Sequence, residues 1–160
     1  MTHASRFVAA TAFAVLALGS SRAEAQQVVT VTVPAGAAFT VNDVGSTTTG
    51  TPNPFHVSYS NATLFLPGQS LRISVKADSS SFSGPGTTHP AASKVKWTAS
   101  TSNGTASGGT MSSSAYSEVY RKTNPSSGSV DVVWRLDPIA ASGLRSGTHT
   151  LTVRWKFEAF

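Results

Sequence analysis

Hydrophobic and polar residues alternate with a period of two along much of this chain, and no stretch after residue 25 has a clear 3.6-residue apolar period. Successive side chains of a β-strand point to opposite faces, so this pattern predicts strands with one buried face. The predicted strands are Val28–Val33, Phe39–Val44, Phe55–Ser60, Ser70–Ala77, Lys94–Ser100, Ala115–Arg121, Ser129–Leu136 and His149–Phe157.

Turn-forming residues separate these strands. Proline fixes φ, and Gly and Asn readily adopt positive φ, as in Thr51–Pro54, Asn103-Gly104 and Asp137-Pro138. About seven to nine mostly antiparallel strands with such turns predict an all-β fold, an immunoglobulin-like β-sandwich. The longest irregular stretch, Ser79–Ala92, is predicted to be a flexible surface loop.

The three tryptophans indicate which face of each strand is buried. Trp97 and Trp155 alternate with lysine and arginine, and Trp134 lies between Asp131 and Arg135 in an otherwise apolar strand. We therefore predict that the indoles point into the core and the charged residues point outward. A surface platform that stacks sugars is the alternative role for these tryptophans.

The first 25 residues have the pattern of a secretory signal peptide. Arg6 precedes an apolar run of about a dozen residues, and Ala23-x-Ala25 supplies the small residues of a cleavage site. That run is too short to cross a ~30 Å hydrocarbon core as a helix. We predict a signal peptide at 1–25 and a single domain at 26–160 with no membrane span; an uncleaved anchor is the alternative.

Composition limits the environment and the partners. The sequence has 25 Ser, 20 Thr and 13 Gly, which disfavour helices, and no cysteine, so an exported form must rely on its core instead of disulfides. Removing residues 1–25 takes away two cations and one anion, so the net charge falls from +5 to about +4. No Lys/Arg run exceeds two residues, which predicts no nucleic-acid partner. We expect a secreted bacterial protein of the periplasm, cell surface or extracellular space.

Two short motifs carry a resemblance to known surface proteins. Gly147-Thr148-His149-Thr150 followed by Trp155-Lys156-Phe157 resembles the closing strand of bacterial surface domains of the WxL type, and Trp134-Arg135-Leu136 resembles their earlier motif. His149 replaces the expected Tyr, and Phe157 replaces the expected Leu. The layout of a signal peptide, a Thr/Val strand and Ser/Thr/Gly-rich strands also resembles pilin-type subunits. Both resemblances imply an immunoglobulin-like surface domain.

The pilin-type resemblance makes the first strand after the signal peptide a candidate assembly strand. Val29, Val31 and Val33 form one apolar row, and Val28 begins the segment on the opposite row. Such a segment could add to the sheet edge of another copy or of another surface subunit, with main-chain hydrogen bonds supplying affinity. The alternative is an ordinary first strand of its own domain.

A second candidate surface is basic. Lys94, Lys96, Arg135, Arg154 and Lys156 all point away from the predicted core. If their strands pair, these cations would share one sheet face and could bind acidic polysaccharide. The alternative is a solvated face that keeps the sheet soluble.

The sequence contains no pattern that indicates catalysis or metal binding. Its histidines lack ligand spacing, and neither alternating carboxylates nor Gly-x-Ser-x-Gly occurs. We therefore predict no catalytic residues, no metal and no cofactor.

The predicted function is that of a structural or adhesive surface protein, and its more specific form is a pilus-like subunit that assembles by strand addition. A binding module for acidic glycan or cell-wall polymer and a small secreted hydrolase are the alternatives.

Overall fold

Thirteen strands and one short 3-10 turn form the regular structure of the described residues, 5–8, 29–62, 67–140 and 142–160, in a computed structural model. The turn is Ala92–Lys94. The strands are β1 Ser5–Val8, β2 Thr30–Thr32, β3 Ala38–Val41, β4 Thr48–Thr49, β5 Phe55–Ser60, β6 Ser70–Ala77, β7 Val95–Ser100, β8 Thr105–Ala106, β9 Gly109–Thr110, β10 Ser117–Thr123, β11 Gly128–Leu136, β12 His149–Thr150 and β13 Val153–Ala159.

Two antiparallel sheets contain most of these strands. One has the order β13-β6-β10-β8, and the other has the order β2-β5-β11-β7-β9 with β4 also paired to β11. A third group has the order β12-β1-β3, in which β1 is parallel to β12 and antiparallel to β3. The all-β, sandwich-like prediction is confirmed at this level.

Aromatic side chains join the two larger sheets. Trp155 of β13 stacks on Phe55 of β5, and it meets Trp134 of β11 edge-on at a centroid distance of 6.2 Å. Trp134 in turn meets Trp97 of β7. All three indoles are buried, so the predicted inward orientation is confirmed.

The predicted strand limits differ from the structure where pairing changes within an apolar run. Phe55–Ser60 and Ser70–Ala77 are strands with the predicted limits. The predicted strand 149–157 is split at Leu151-Thr152 because β12 pairs with β1 whereas β13 pairs with β6. The short strands β4, β8 and β9 were not predicted, because two residues are too few to show a period.

The irregular stretch Ser79–Ala92 is attached to the sandwich. Ser83 forms an antiparallel bridge with Thr150 of β12, with N···O distances of 2.8 and 2.7 Å. Phe82 is 3% exposed and belongs to the core. The stretch lacks extended strands, as predicted, but its backbone pairing and buried side chain differ from the expected flexible surface loop.

The predicted signal peptide lies almost entirely outside the described residues. Its one described part is Ser5–Val8, which forms β1. Along the described ranges, no helix has the length and apolar character needed to cross a bilayer.

Candidate functional site

β1 occupies a slot between two strands that do not pair with each other. Its Cα partners on β3 run from Ser5 opposite Val41 to Val8 opposite Ala38. Its partners on β12 are His149 and Thr150. In this three-stranded group, β1 is therefore the strand that connects β3 to β12.

The outer edges of the slot strands are already paired. Ala38 of β3 exchanges two hydrogen bonds of 2.8 Å with Thr51, on the side away from β1. Thr150 of β12 makes the bridge to Ser83 described above. The edges of β3 and β12 that face β1 therefore depend on a strand between them for their backbone pairing.

Apolar side chains lie beneath the slot. Phe39 of β3 and Leu151, which directly follows β12, are 3% and 2% exposed. Together with Trp134, Trp155 and Val153 they line a cavity of about 30 Å³ whose other walls are also apolar. Because side chains alternate along a strand, an inserted strand suits this floor when every second residue is apolar.

The candidate assembly strand pairs within its own domain in this structure. β2 lies at the edge of the six-stranded sheet, where Thr30, Val31 and Thr32 pair with β5. Val29, Val31 and Val33 are half-buried and pack against the core. Val28 lies outside the described residues. The pairing is short, with three residues of β2 opposite Ser58–Ser60.

The five residues of the predicted basic face are divided between two sheets. Lys96 and Arg135 are cross-strand partners on β7 and β11, whereas Arg154 and Lys156 lie on β13. Lys94 is half-buried in the 3-10 turn before β7. Because the inward faces of these sheets pack on each other, their outward cations point in opposite directions. The expected single face does not form.

The structure instead places Arg154 and Lys156 on the same sheet face as cations of β6 and β10. Arg154 is opposite Lys76, and Arg72 is opposite both Glu158 and Arg121. We call this surface the β6–β13 face, and it comprises Arg72, Lys76, Asp78, Tyr116, Glu118, Arg121, Arg154, Lys156, Glu158 and Phe160. Sequence reasoning missed Arg72, Lys76 and Arg121 because strand order and register decide their neighbours.

Ion pairs hold several cations of the β6–β13 face. Glu158 pairs with Lys156 at 2.5 Å and with Arg72 at 3.2 Å. The hydrogen bond from Lys156 is the main cause that lowers the pKa of Glu158, and the charge of Arg72 adds to it. Glu118 pairs with Arg121, and Asp78 pairs with Arg154, so these contacts raise the pKa of both guanidinium groups.

Two exposed aromatic rings lie on the same face. Tyr116 is 39% exposed and Phe160 is 49% exposed, and these are the exposed large hydrophobic residues in the described ranges. The Lys76 and Lys156 ammonium groups lie 5.3 and 5.4 Å from the Tyr116 ring centroid. The Arg72 and Arg121 guanidinium groups lie 4.7 and 5.1 Å from that of Phe160. These are cation–π distances.

A His–Asp pair on the opposite sheet is the feature most similar to part of a catalytic site. His56 Nδ1 and Asp131 Oδ1 are 2.6 Å apart across β5 and β11, with both side chains exposed. In the part of the chain that the structure describes, no serine hydroxyl hydrogen-bonds to His56 and no group of three or more His, Cys, Asp or Glu could hold a metal ion.

Two buried tyrosines form a polar contact inside the core. The Tyr59 hydroxyl donates to the Tyr120 hydroxyl at 2.9 Å, and the Tyr120 hydroxyl donates to the carbonyl oxygen of Asn103. Burial raises the pKa of both phenols above their ordinary value of 10.0. These groups are therefore neutral donors that join the two sheets.

Comparison with known proteins adds no relative. No protein-family model matches the chain, and no curated protein is significantly similar to it in sequence.

Proposed function

We propose that this chain is a non-catalytic structural or adhesive protein, exported to the bacterial surface, whose copies bind one another by strand addition. The mature domain would be residues 26–160, with an immunoglobulin-like arrangement of its sandwich. The proposal depends on the position of β1. The strand that connects β3 to β12 comes from the segment that the sequence predicts to be removed on export.

Removal of β1 would expose two strand edges that face each other. Strands in a sheet lie about 4.8 Å apart, so the open slot would be roughly 10 Å wide, enough for one strand. Its edges would present unpaired N–H and C=O groups, and its floor would expose apolar side chains such as Phe39 and Leu151. Such a slot favours the addition of an apolar strand from outside.

The segment Val28–Val33 has the properties of the incoming strand. Val29, Val31 and Val33 form an apolar row that suits the floor of the slot. In its own domain the segment is paired through three residues at a sheet edge. In the slot it would gain partners on two sides, as β1 has. Moving the segment from its own sheet edge into the slot of another copy would therefore increase the number of its residues that pair with a neighbouring strand.

The proposed contact connects different surfaces of the two copies. One copy supplies its first strand, and the other supplies the slot between β3 and β12. Such a heterologous contact leaves a free strand at one end and a free slot at the other, so it extends into an open filament unless a ring closes. A second surface subunit with the same features could take part in the same way.

Cysteine pairs can test the contact because the chain has no cysteine of its own. Thr30 and Thr40 are exposed residues of β2 and β3. The Thr30→Cys and Thr40→Cys variants are each purified after export and then mixed. We expect disulfide-linked dimers on oxidation, because an incoming strand places Thr30 of one copy beside β3 of the other, within bonding distance. Mass analysis of the exported chain establishes whether residues 1–25 are absent.

Thr98→Cys provides the matched control. Thr98 is exposed on β7 of the six-stranded sheet, away from the slot. Mixed with Thr30→Cys it is expected to give background cross-linking alone. Equal cross-linking at Thr40 and Thr98, or a processed chain that stays monomeric at high concentration, would contradict strand addition.

A further inference from the structure

We infer that the β6–β13 face is a binding site for a linear anionic polysaccharide. This site is separate from the slot, and it differs from the basic surface that the sequence predicts, because it combines cations of β6, β10 and β13 with two exposed aromatic rings. The inference does not depend on strand addition.

Charge is distributed unequally between the two outer faces of the sandwich. The β6–β13 face carries five cations, Arg72, Lys76, Arg121, Arg154 and Lys156, against three carboxylates, Asp78, Glu118 and Glu158. On the other face, Lys96 and Arg135 are balanced by Asp131 and Asp137, and Lys96 Nζ lies 2.6 Å from Asp137 Oδ2. An anionic polymer is therefore attracted to the β6–β13 face in particular.

Lys76 is the cation of this face that is free for a ligand. Within the described ranges no carboxylate lies at ion-pair distance from its ammonium group, which contacts the Tyr116 ring instead. The four other cations are held in place by Asp78, Glu118 and Glu158. This arrangement fixes the guanidinium groups while it leaves a net positive surface.

The aromatic rings indicate a sugar polymer and not a simple anion. Cations lie over part of each ring, but Tyr116 and Phe160 remain 39% and 49% exposed. The exposed parts of the rings suit the C–H faces of sugars, and the cations suit their carboxylates. Their cationic neighbours on β6, Lys76 and Arg72, are four residues apart, which is about 13 Å along a strand. A ligand that meets both rings must therefore contain several linked sugars.

Charge reversal on the two faces tests this site. The full-length gene is expressed, and the exported protein is applied to immobilised polygalacturonate, with neutral dextran as the uncharged comparison. Lys76→Glu with Lys156→Glu removes both cations around Tyr116 and is expected to weaken binding about tenfold or more. Lys94→Glu with Lys96→Glu changes the net charge by the same amount on β7 and the turn before it, and is expected to leave binding nearly unchanged.

A second variant tests the aromatic contribution without a change of charge. Tyr116→Ser is expected to weaken polygalacturonate binding severalfold while the thermal transition stays near that of the parent protein. Equal loss in both charge-reversal variants would indicate nonspecific attraction and overturn the site. Full binding by Lys76→Glu with Lys156→Glu, or by Tyr116→Ser, would overturn it as well.

Discussion

The Trp155 indole lies parallel to the Phe55 ring, with ring centroids 6.0 Å apart and an interplanar angle of 4°. Because Trp155 belongs to β13 and Phe55 to β5, this stack joins the two sheets across the core. Trp155 also contacts Trp134, so its indole is shared by both sheets. Its removal therefore affects contacts from several strands at once.

Truncation of Trp155 should strongly destabilise the fold. We expect Trp155→Ala to lower the free energy of unfolding by about 3–5 kcal/mol, because it removes buried contacts and leaves a cavity. Trp155→Phe keeps a ring on Phe55 and should lose clearly less. Denaturant unfolding followed by near-UV circular dichroism measures both values. A loss below about 1 kcal/mol for the alanine variant would show that this stack is not central.

The buried tyrosine pair predicts a loss of stability at high pH. Burial raises the pKa of Tyr59 and Tyr120 above 10.0 in the folded state, so the folded protein holds these protons more tightly than the unfolded chain. Their contribution is complete below pH 10.0 and is lost as pH rises through the folded-state pKa values. Tyrosinate absorbance during alkaline unfolding measures this.

Tyr59→Phe is the matched variant for that prediction. It removes the hydroxyl that donates to Tyr120 while it keeps the ring. We expect a shallower fall of stability above pH 10.0, together with a loss of about 1 kcal/mol at neutral pH. An unchanged alkaline profile would mean that the pair does not control unfolding at high pH.

Glu158 predicts an opposite, acidic dependence. Hydrogen bonding to Lys156 and the nearby Arg72 charge lower the pKa of Glu158 below its ordinary value of 4.5. The stabilisation is present above pH 4.5 and is lost as pH falls through the lower folded-state pKa. A carboxyl NMR titration should find that pKa below 4.5, and Lys156→Ala should raise it. A Glu158 pKa that is the same in both proteins would contradict the ion pair.

Gly109 should resist substitution because its Cα faces Trp97. A Cβ at this position would lie 2.5 Å from Cζ2 of Trp97, whose indole N–H donates to the Ser107 carbonyl at 2.9 Å. We expect Gly109→Ala to displace the ring and to destabilise the protein by about 1–3 kcal/mol. Thr110→Ala, at the exposed neighbouring residue, is the control. Thermal unfolding compares them, and equal transitions would mean that Trp97 adapts freely.

The alternation of residue types was sufficient to predict the local structure of the core strands. In Val130–Leu136 and in Val95–Trp97, apolar side chains occupy every second position, and burial of that row requires an extended strand with the indole inside. This relation is local, because it depends on residues one and two positions apart. It also explains why β5 and β6 have their predicted limits.

Strand order and register could not be obtained in this way, because they depend on which distant segments pack together. Alternation shows that Arg154 and Lys96 both point outward, but it does not show that they lie on different sheets. Tertiary pairing places Arg154 beside Lys76 and Lys96 beside Arg135. The slot between β3 and β12 also depends on tertiary pairing, because a strand edge can bind another strand only where no neighbouring strand of its own sheet is paired with it. The sequence by itself determined the buried rows and their strands, and the tertiary structure decided which surfaces those strands form together.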